Sequence, residues 1–332
     1  MDTYSTNWKN QLNSNNRIFV SIASLNEEDL LNTVKNIYEK ADNPDGVRIG
    51  ICNQKTIGSF EDFSNFKNVK TINISHPLIR GIGIARCESL WLWGGEKYIL
   101  QVDAHSRFVE SWDSKLISWY KKLECINKNI IISQRPSAFT KNKNGVISYD
   151  TNLPSVEKLR EFQIIDAIEK FTNTKFSNEY RTSISSKIEH NFISEDFIEH
   201  YLVAGGFIFS TWKFFTEVMP DPRIQFFGEE HTIPMRAFSR GYSIYAINDI
   251  IIHTLEKTDE YLDSDIARDV WHNIFNADIA CTTYLHFIDY YKNILTAGEL
   301  GYYGATDMET YNEYVDKLGF DYRNISGIEF YD

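Results

Sequence analysis

"YILQVDAHSRFVESWD", residues 98–113, decides the fold and raises its central question. Tyr98-Ile-Leu-Gln-Val reads as a buried strand that stops at Asp103, Ala104 and His105. A carboxylate and an imidazole at such an end are costly to desolvate unless each is paired or bound. In an extended chain, residues i and i+2 point the same way. Asp103 and His105 would then offer an oxygen and a nitrogen to one cation. Two protein ligands leave positions open for a diphosphate. Mixed oxygen and imidazole ligation suits Mn²⁺ better than Ca²⁺ and is compatible with Mg²⁺ or Zn²⁺. A direct Asp–His hydrogen bond without metal accounts for the local pattern equally well.

Outward from this stretch, strand and helix patterns alternate. "RIFVSIAS" reads as a strand. It is followed by a helix over "NEEDLLNTVKNIYEKAD", with Asn26 as N-cap and Glu27, Glu28 and Asp29 in the first turn. "VRIGIC" and "NVKTINIS" are further strands, "GIGIARCESLWLW" a helix, and "NIIIS" a strand. Between the last two elements, "WDSKLISWYKKL" places Trp112, Leu116, Trp119 and Leu123 on one helical stripe. Alternation of this kind predicts an α/β fold with a mostly parallel sheet, where ligands sit beyond the carboxyl ends of the strands. Asp103 and His105 stand at such an end.

Residues 137–201 break the alternation and read as an insertion holding one amphipathic helix, "SVEKLREFQIIDAIEKF" (155–171). Then come a strand, "VAGGFIFS", and a helix, "EEHTIPMRAFSRGY", with Pro234 expected in its first turn and Gly241 closing it. "YSIYAIN" is a strand, and His253 follows just beyond it as the best third metal ligand. Residues 1–16 read as a loose polar arm, 17–255 as the catalytic domain, and 256–332 as a helical C-terminal extension packed on it.

Other groups carry weaker signals. Gly205 and Gly206 would let backbone approach a ligand, or form a bulge. Glu229 and Glu230 open a helix and would either complement its dipole or position an acceptor hydroxyl. Arg86 would meet a phosphate or form a salt bridge. There is no Walker loop, dinucleotide fingerprint or nucleophile elbow.

The ordered series "FVSIAS", "ICNQ", "GIGIAR", "YILQVDAHSRFVESWD", "AGGFIFS", "DPRIQFFGEEH", "GYSIYAINDIIIH" and "ISGIEF" resembles glycosyltransferase family 60. Its type members are cytoplasmic polypeptide α-N-acetylglucosaminyltransferases that modify a hydroxyproline of a ubiquitin-ligase adaptor. The resemblance runs from about Arg17 to Phe330 and is weakest in the middle insertion. Many members read "DSHMRF" where this chain has "DAHSRF"; no ligand is lost. The resemblance implies a GT-A fold, a DxH metal motif at Asp103 and His105, and a late metal histidine at His253. It also implies Ser21, Ala23 and Asn53 near the uridine, Arg86 near the diphosphate, Gly205 and Gly206 along the donor sugar, and Glu229 or Glu230 near the acceptor.

The expected activity is metal-dependent transfer of a sugar, N-acetylglucosamine first, from a UDP donor to a hydroxyl on a protein or glycan, with retention. A nucleotide-sugar hydrolase or metal-dependent phosphoesterase, and a non-catalytic carbohydrate-binding protein, are the rivals. The formal charge of −12 disfavours nucleic acid as a partner. No apolar run reaches the roughly 18 residues that span a bilayer. Four widely spaced cysteines without a CxxC pair read as reduced thiols, so a cytoplasmic location is expected.

Overall fold

The computed structural model of the chain describes residues 16–56, 58–142, 144–151, 156–162, 183–189, 196–224, 228–256 and 301–319. The chain opens with β1 (Ile18–Leu25), α1 (Leu30–Glu39), β2 (Val47–Lys55), β3 (Val69–Ser75), α2 (Ile82–Leu90) and β4 (Tyr98–Asp103). β5 (Ser106–Phe108), α3 (Trp112–Glu124), β6 (Ile130–Ser133), β7 (Ser137–Lys141) and β8 (Ile147–Tyr149) follow. Next come β9 (Val156–Phe162), β10 (Ser183–Glu189), β11 (Phe197–His200), β12 (Phe207–Thr211) and α4 (Trp212–Glu217). The last described elements are α5 (Glu229–Phe238), β13 (Ser243–Ile247), β14 (Ile252–Leu255) and α6 (Met308–Leu318).

The main sheet runs β11-β13-β6-β12-β4-β1-β2-β3. Strands β3, β2, β1 and β4 are mutually parallel, as the largely apolar runs of β1, β2 and β4 anticipate, while β3 at the edge alternates polar and apolar residues. Beyond them β12 runs antiparallel to both β4 and β6, and β11 antiparallel to β13. The sheet is therefore mixed, with a parallel block from β4 to β3 and one further parallel pair, β13 with β6.

Side-chain alternation divides the core between the two faces. Ile18, Val20 and Ile22 of β1, with Tyr98, Leu100 and Val102 of β4, pack under α1 and α3. Phe19 and Ile99, one register off, pack on the other face with Leu90, Phe214 and Ile233. Tyr120, not Trp119, completes the buried stripe of α3; Trp119 is only partly buried. A smaller sheet, β5-β14-β7-β8, grows from the end of β4 after a two-residue turn at Ala104–His105.

Several expectations are corrected. α1 begins at Leu30, with Asp29 as N-cap, so Glu27 and Glu28 precede it. Asn26 instead takes a left-handed conformation (φ 48°) and exchanges side-chain hydrogen bonds with Thr56 across to the end of β2. The segment read as an amphipathic helix forms β9 over Val156–Phe162, paired antiparallel with Ser183–Glu189. Inter-strand pairing there overrides a helix-like apolar spacing; its remainder, 163–171, lies outside the described residues. Pro234 is the sixth residue of α5, in its second turn. His253 does follow β13, but it lies within a further strand, β14. Gly241 does adopt a positive φ (74°) just past the end of α5. Of the C-terminal extension, α6 is described; its Tyr314 packs on Phe238 of α5 and donates to the Tyr201 carbonyl. The arm over residues 1–15 and the segment 257–300 lie outside the described residues. Cys52, Cys87 and Cys125 are free thiols; Cys281 also lies outside.

Gly83, in the first turn of α2, is where this helix meets the loop before α5. Its N–H donates to the Ile224 carbonyl at 2.9 Å, and a Cβ there would overlap the Asp221 carbonyl. Both obstacles are backbone, so relief needs the loop to move. Gly83→Ala should therefore destabilise the fold by about 1–3 kcal/mol, the usual cost of overpacking. A lowered urea midpoint with unchanged slope checks this; an unchanged midpoint would mean the loop yields freely.

Candidate functional site

The carboxyl ends of β1, β2 and β4 lie side by side. Parallel register sets Ala23 beside both Asp103 and Cys52, and Ser24 beside Asn53. Ala23 is half-buried, while Ser21 and Asn53 are buried. Ser21 shares a 2.6 Å hydrogen bond with Ser89 of α2 and so braces that helix against β1. The Asn53 amide donates to Glu61 at 2.6 Å, and Lys55 meets the other Glu61 oxygen at 2.5 Å.

Beneath Asp103 lies Arg86, its side chain 1% exposed. Its guanidinium donates to the Val102 carbonyl at 2.7 Å, Asp103 Oδ1 at 3.0 Å and the Gly205 carbonyl at 3.1 Å, and stands 3.5 Å from Glu229 Oε1. Gln101, the polar exception in β4, donates to the same Gly205 carbonyl at 2.9 Å. Asp103 is 34% exposed and Glu229 only 6%, so one carboxylate faces outward and the other is enclosed. The two glycines fit between them. A Cβ on Gly206 would come within 3.0 Å of Asp103 Cγ, and one on Gly205 within 2.9 Å of Glu229 Cδ. Glu230, the next helical position, is half-buried.

The metal candidates divide differently. Ala104 and His105 form a turn, so the extended geometry that would align Asp103 with His105 does not hold. Asp103 bonds to Arg86, and His105 Nδ1 bonds to Glu27 Oε2 at 2.8 Å. The direct Asp–His hydrogen bond is therefore not the arrangement either. His253 lies opposite Arg107 on the strand paired with β5, and the His105 carbonyl accepts from the Leu255 N–H at 3.0 Å. Its ring packs against Tyr149 at a tilt of 59°, with centroids 4.8 Å apart. Burial lowers its pKa, opposed by the Ala138 backbone and Asp150. Among the described residues, no three His, Cys, Asp or Glu side chains stand together as a metal centre. The donor set nonetheless suits a divalent ion. An ionised carboxylate can only accept, so the imidazole proton of this contact sits on Nδ1 and Nε2 is the nitrogen left to face a cation, and His253 Nδ1 is buried without a partner.

Unpartnered buried polar atoms at or near these strand ends are Asn53 Oδ1, Gln101 Oε1, Arg86 Nε and Glu229 Oε2. Buried polar groups are ordinarily satisfied, so each of these atoms calls for a partner such as a ligand, an ion or water. Glu27, Gln101 and Glu61 were not anticipated. Gln101 alone had a readable signal, as a polar residue inside a buried apolar strand. For Arg86, burial works against the charge, but Glu229 and then Asp103 outweigh it and hold the guanidinium above its ordinary pKa. Burial raises the Glu229 carboxyl above its ordinary 4.5; Arg86 pulls it down and Asp103 pushes it further up. Two carboxylates share one guanidinium, and burial makes the enclosed Glu229 hold its proton more tightly than an ordinary glutamate does.

Residues 17–62 and 60–261 match a family model described as "Glycosyltransferase (GlcNAc)". A crystal structure of GalNAc-T7 with UDP, GalNAc and Mn²⁺ is similar over 92% of this chain and 55% of that one, at a TM-score of 0.50 and 13% identity. The chain thus spans about half the length of that structure, and the likeness is one of fold: a mixed α/β, GT-A-like arrangement. No curated protein matches the chain.

A carboxyl whose pKa is raised on folding contributes stability that is present below its unfolded value of 4.5 and fades as pH climbs through the folded value. Urea unfolding of the wild type and of Glu229→Gln, from about pH 4 to about pH 8, should show the wild type losing ground to the variant as pH rises. Parallel curves would mean that Glu229 is not the group that titrates.

Proposed function

We propose, since the chain belongs to the glycosyltransferase (GlcNAc) family, that it transfers N-acetylglucosamine from UDP to a hydroxyl on a protein or glycan, with retention at the sugar carbon. The observation that carries this reading is Asp103. It stands about a third exposed at the carboxyl end of β4, held from beneath by Arg86 and packed closely by Gly206 on one side. The UDP and Mn²⁺ in the GalNAc-T7 crystal accord with a nucleotide diphosphate and a divalent cation here.

Asp103, His105 and His253 would hold the cation, Mn²⁺ first and Mg²⁺ as the alternative. When bound, the ion supplies counter-charge to the departing diphosphate. The protein's own contributions are positional. Ala23 and Asn53, on adjacent strands, form the uridine side. Arg86 orients Asp103 instead of reaching the diphosphate itself, because its guanidinium is already engaged by protein groups. Gly205 and Gly206 let the donor sugar lie against backbone. The C–O bond to UDP breaks as the acceptor oxygen attacks from the same face, and the acceptor proton passes to a phosphate oxygen. Glu229, enclosed behind Gly205, fixes Arg86 and the glycine backbone, which leaves the less buried Glu230 nearer the acceptor. Among the described residues no helix is long and apolar enough to cross a membrane.

A screen of UDP-sugars with Mn²⁺, with and without EDTA and with and without an acceptor extract, tests the scheme. UDP release should depend on both metal and acceptor, with UDP-GlcNAc preferred. Asp103→Ala should cost about 10²–10³-fold in turnover, the range for losing one preorganised electrostatic contact. Release that ignores the acceptor would indicate a hydrolase; release that ignores both EDTA and Asp103→Ala would remove the basis of the proposal.

A further inference from the structure

The turn after β4 is tied down almost residue by residue by the segment at the start of α1. Thr33 Oγ1 donates to the Ala104 carbonyl at 2.8 Å and accepts from the Ser106 N–H at 3.0 Å. Arg107 is held by Asp29 at 2.6 and 2.8 Å, and the Phe108 N–H donates to Asn36 Oδ1 at 2.6 Å. Within this clamp one contact reaches a functional side chain instead of backbone or a structural ion pair. Glu27, 8% exposed, meets His105 Nδ1 at 2.8 Å.

We infer that Glu27 is a positioning residue for metal binding: it fixes His105 in the orientation and tautomer that present Nε2 to the cation. The inference rests on the reading of His105 as a metal ligand. Its physical basis is one-directional. An ionised carboxylate has no proton to give, so the 2.8 Å contact requires the imidazole proton on Nδ1. A ring free to choose would divide between two tautomers and rotate. The clamp and the carboxylate together remove both freedoms before any ligand arrives. Carboxylate partners of this type usually account for about 10–100-fold in metal affinity. Asp29, two residues on, cannot substitute, because both of its oxygens face Arg107.

Two readouts test this without relying on turnover. In the metal-free protein, long-range ¹H–¹⁵N spectra should show His105 as the Nδ1–H tautomer, and Glu27→Ala should lose that preference. Mn²⁺ binding in the presence of UDP, followed by the Mn²⁺ EPR signal, should weaken about 10–100-fold in Glu27→Ala. Glu27→Gln, whose amide oxygen still accepts the N–H, should lose less and should keep the tautomer. Asp103→Ala and His105→Ala are the references. If they lose Mn²⁺ while Glu27→Ala binds it as the wild type does, the role given to Glu27 is wrong and the metal reading stands. If all three bind like the wild type, the metal reading fails and takes this inference with it. A wild-type His105 protonated on Nε2, or equal losses in Glu27→Ala and Glu27→Gln with the tautomer unchanged, would also overturn it.

Discussion

Burial of a single guanidinium organises this half of the molecule. Arg86 brings a full positive charge from α2 to a point with almost no solvent, which is unfavourable by several kcal/mol unless it is compensated. Compensation comes from four partners in three places: the end of β4 through Val102 and Asp103, the backbone before β12 through Gly205, and the start of α5 through Glu229. Each partner belongs to a different element or a different part of one. None can shift without leaving a buried charge partly unmet, a cost on the order of 3–5 kcal/mol when one partner is lost outright. Such a cluster adds little net stability over a well-packed apolar core. What it fixes is relative position, and the residue it holds at the surface is Asp103.

The two glycines follow from that constraint. β12 runs antiparallel beside β4, which brings its leading residues across the top of the Arg86 cluster. Two carboxylates flank the path there, one on each side, and each glycine faces a different one. Side chains at either position would press on Asp103 or Glu229 and loosen the guanidinium below. Gly205 has a second duty, since its carbonyl accepts from both Arg86 and Gln101. The pair is therefore a packing requirement of the charge cluster before it is anything toward a ligand.

Much of this was legible in the sequence. The apolar runs of β1, β2 and β4, and the faces of α1 and α3, follow from side-chain periodicity, because burial there is continuous and local. The placement of Asp103, Gly205, Gly206 and Glu229 in one neighbourhood followed from strand ends and resemblance, not from spacing. What was not legible depends on partners far away in the chain. Glu27 and Asp29 looked like charges complementing a helix dipole, yet they answer His105 and Arg107, which lie 78 residues later. Val156–Phe162 has apolar residues three apart and still forms a strand, because Ser183–Glu189 supplies the hydrogen bonds. The reach of Asp103 and His105 toward one ion was inferred from an extended chain, and a two-residue turn replaces it. Periodicity cannot foresee a turn whose stability comes from Thr33 on another element.

The charge balance at the strand ends bears directly on chemistry. A leaving diphosphate needs positive charge close by, and the chain as a whole is strongly acidic. Arg86, the cation that the sequence offered for this task, is already balanced by Asp103 and Glu229. Arg107 is paired with Asp29, and Lys55 with Glu61. Arg80, exposed in the loop after β3, has its backbone N–H anchored by Gln54 at the end of β2, and so stands near the same strand ends. One exposed arginine, screened by solvent, is a weak counterweight to a diphosphate. A divalent ion held by an outward carboxylate and two neutral imidazoles would supply the charge that these side chains, engaged with one another, do not.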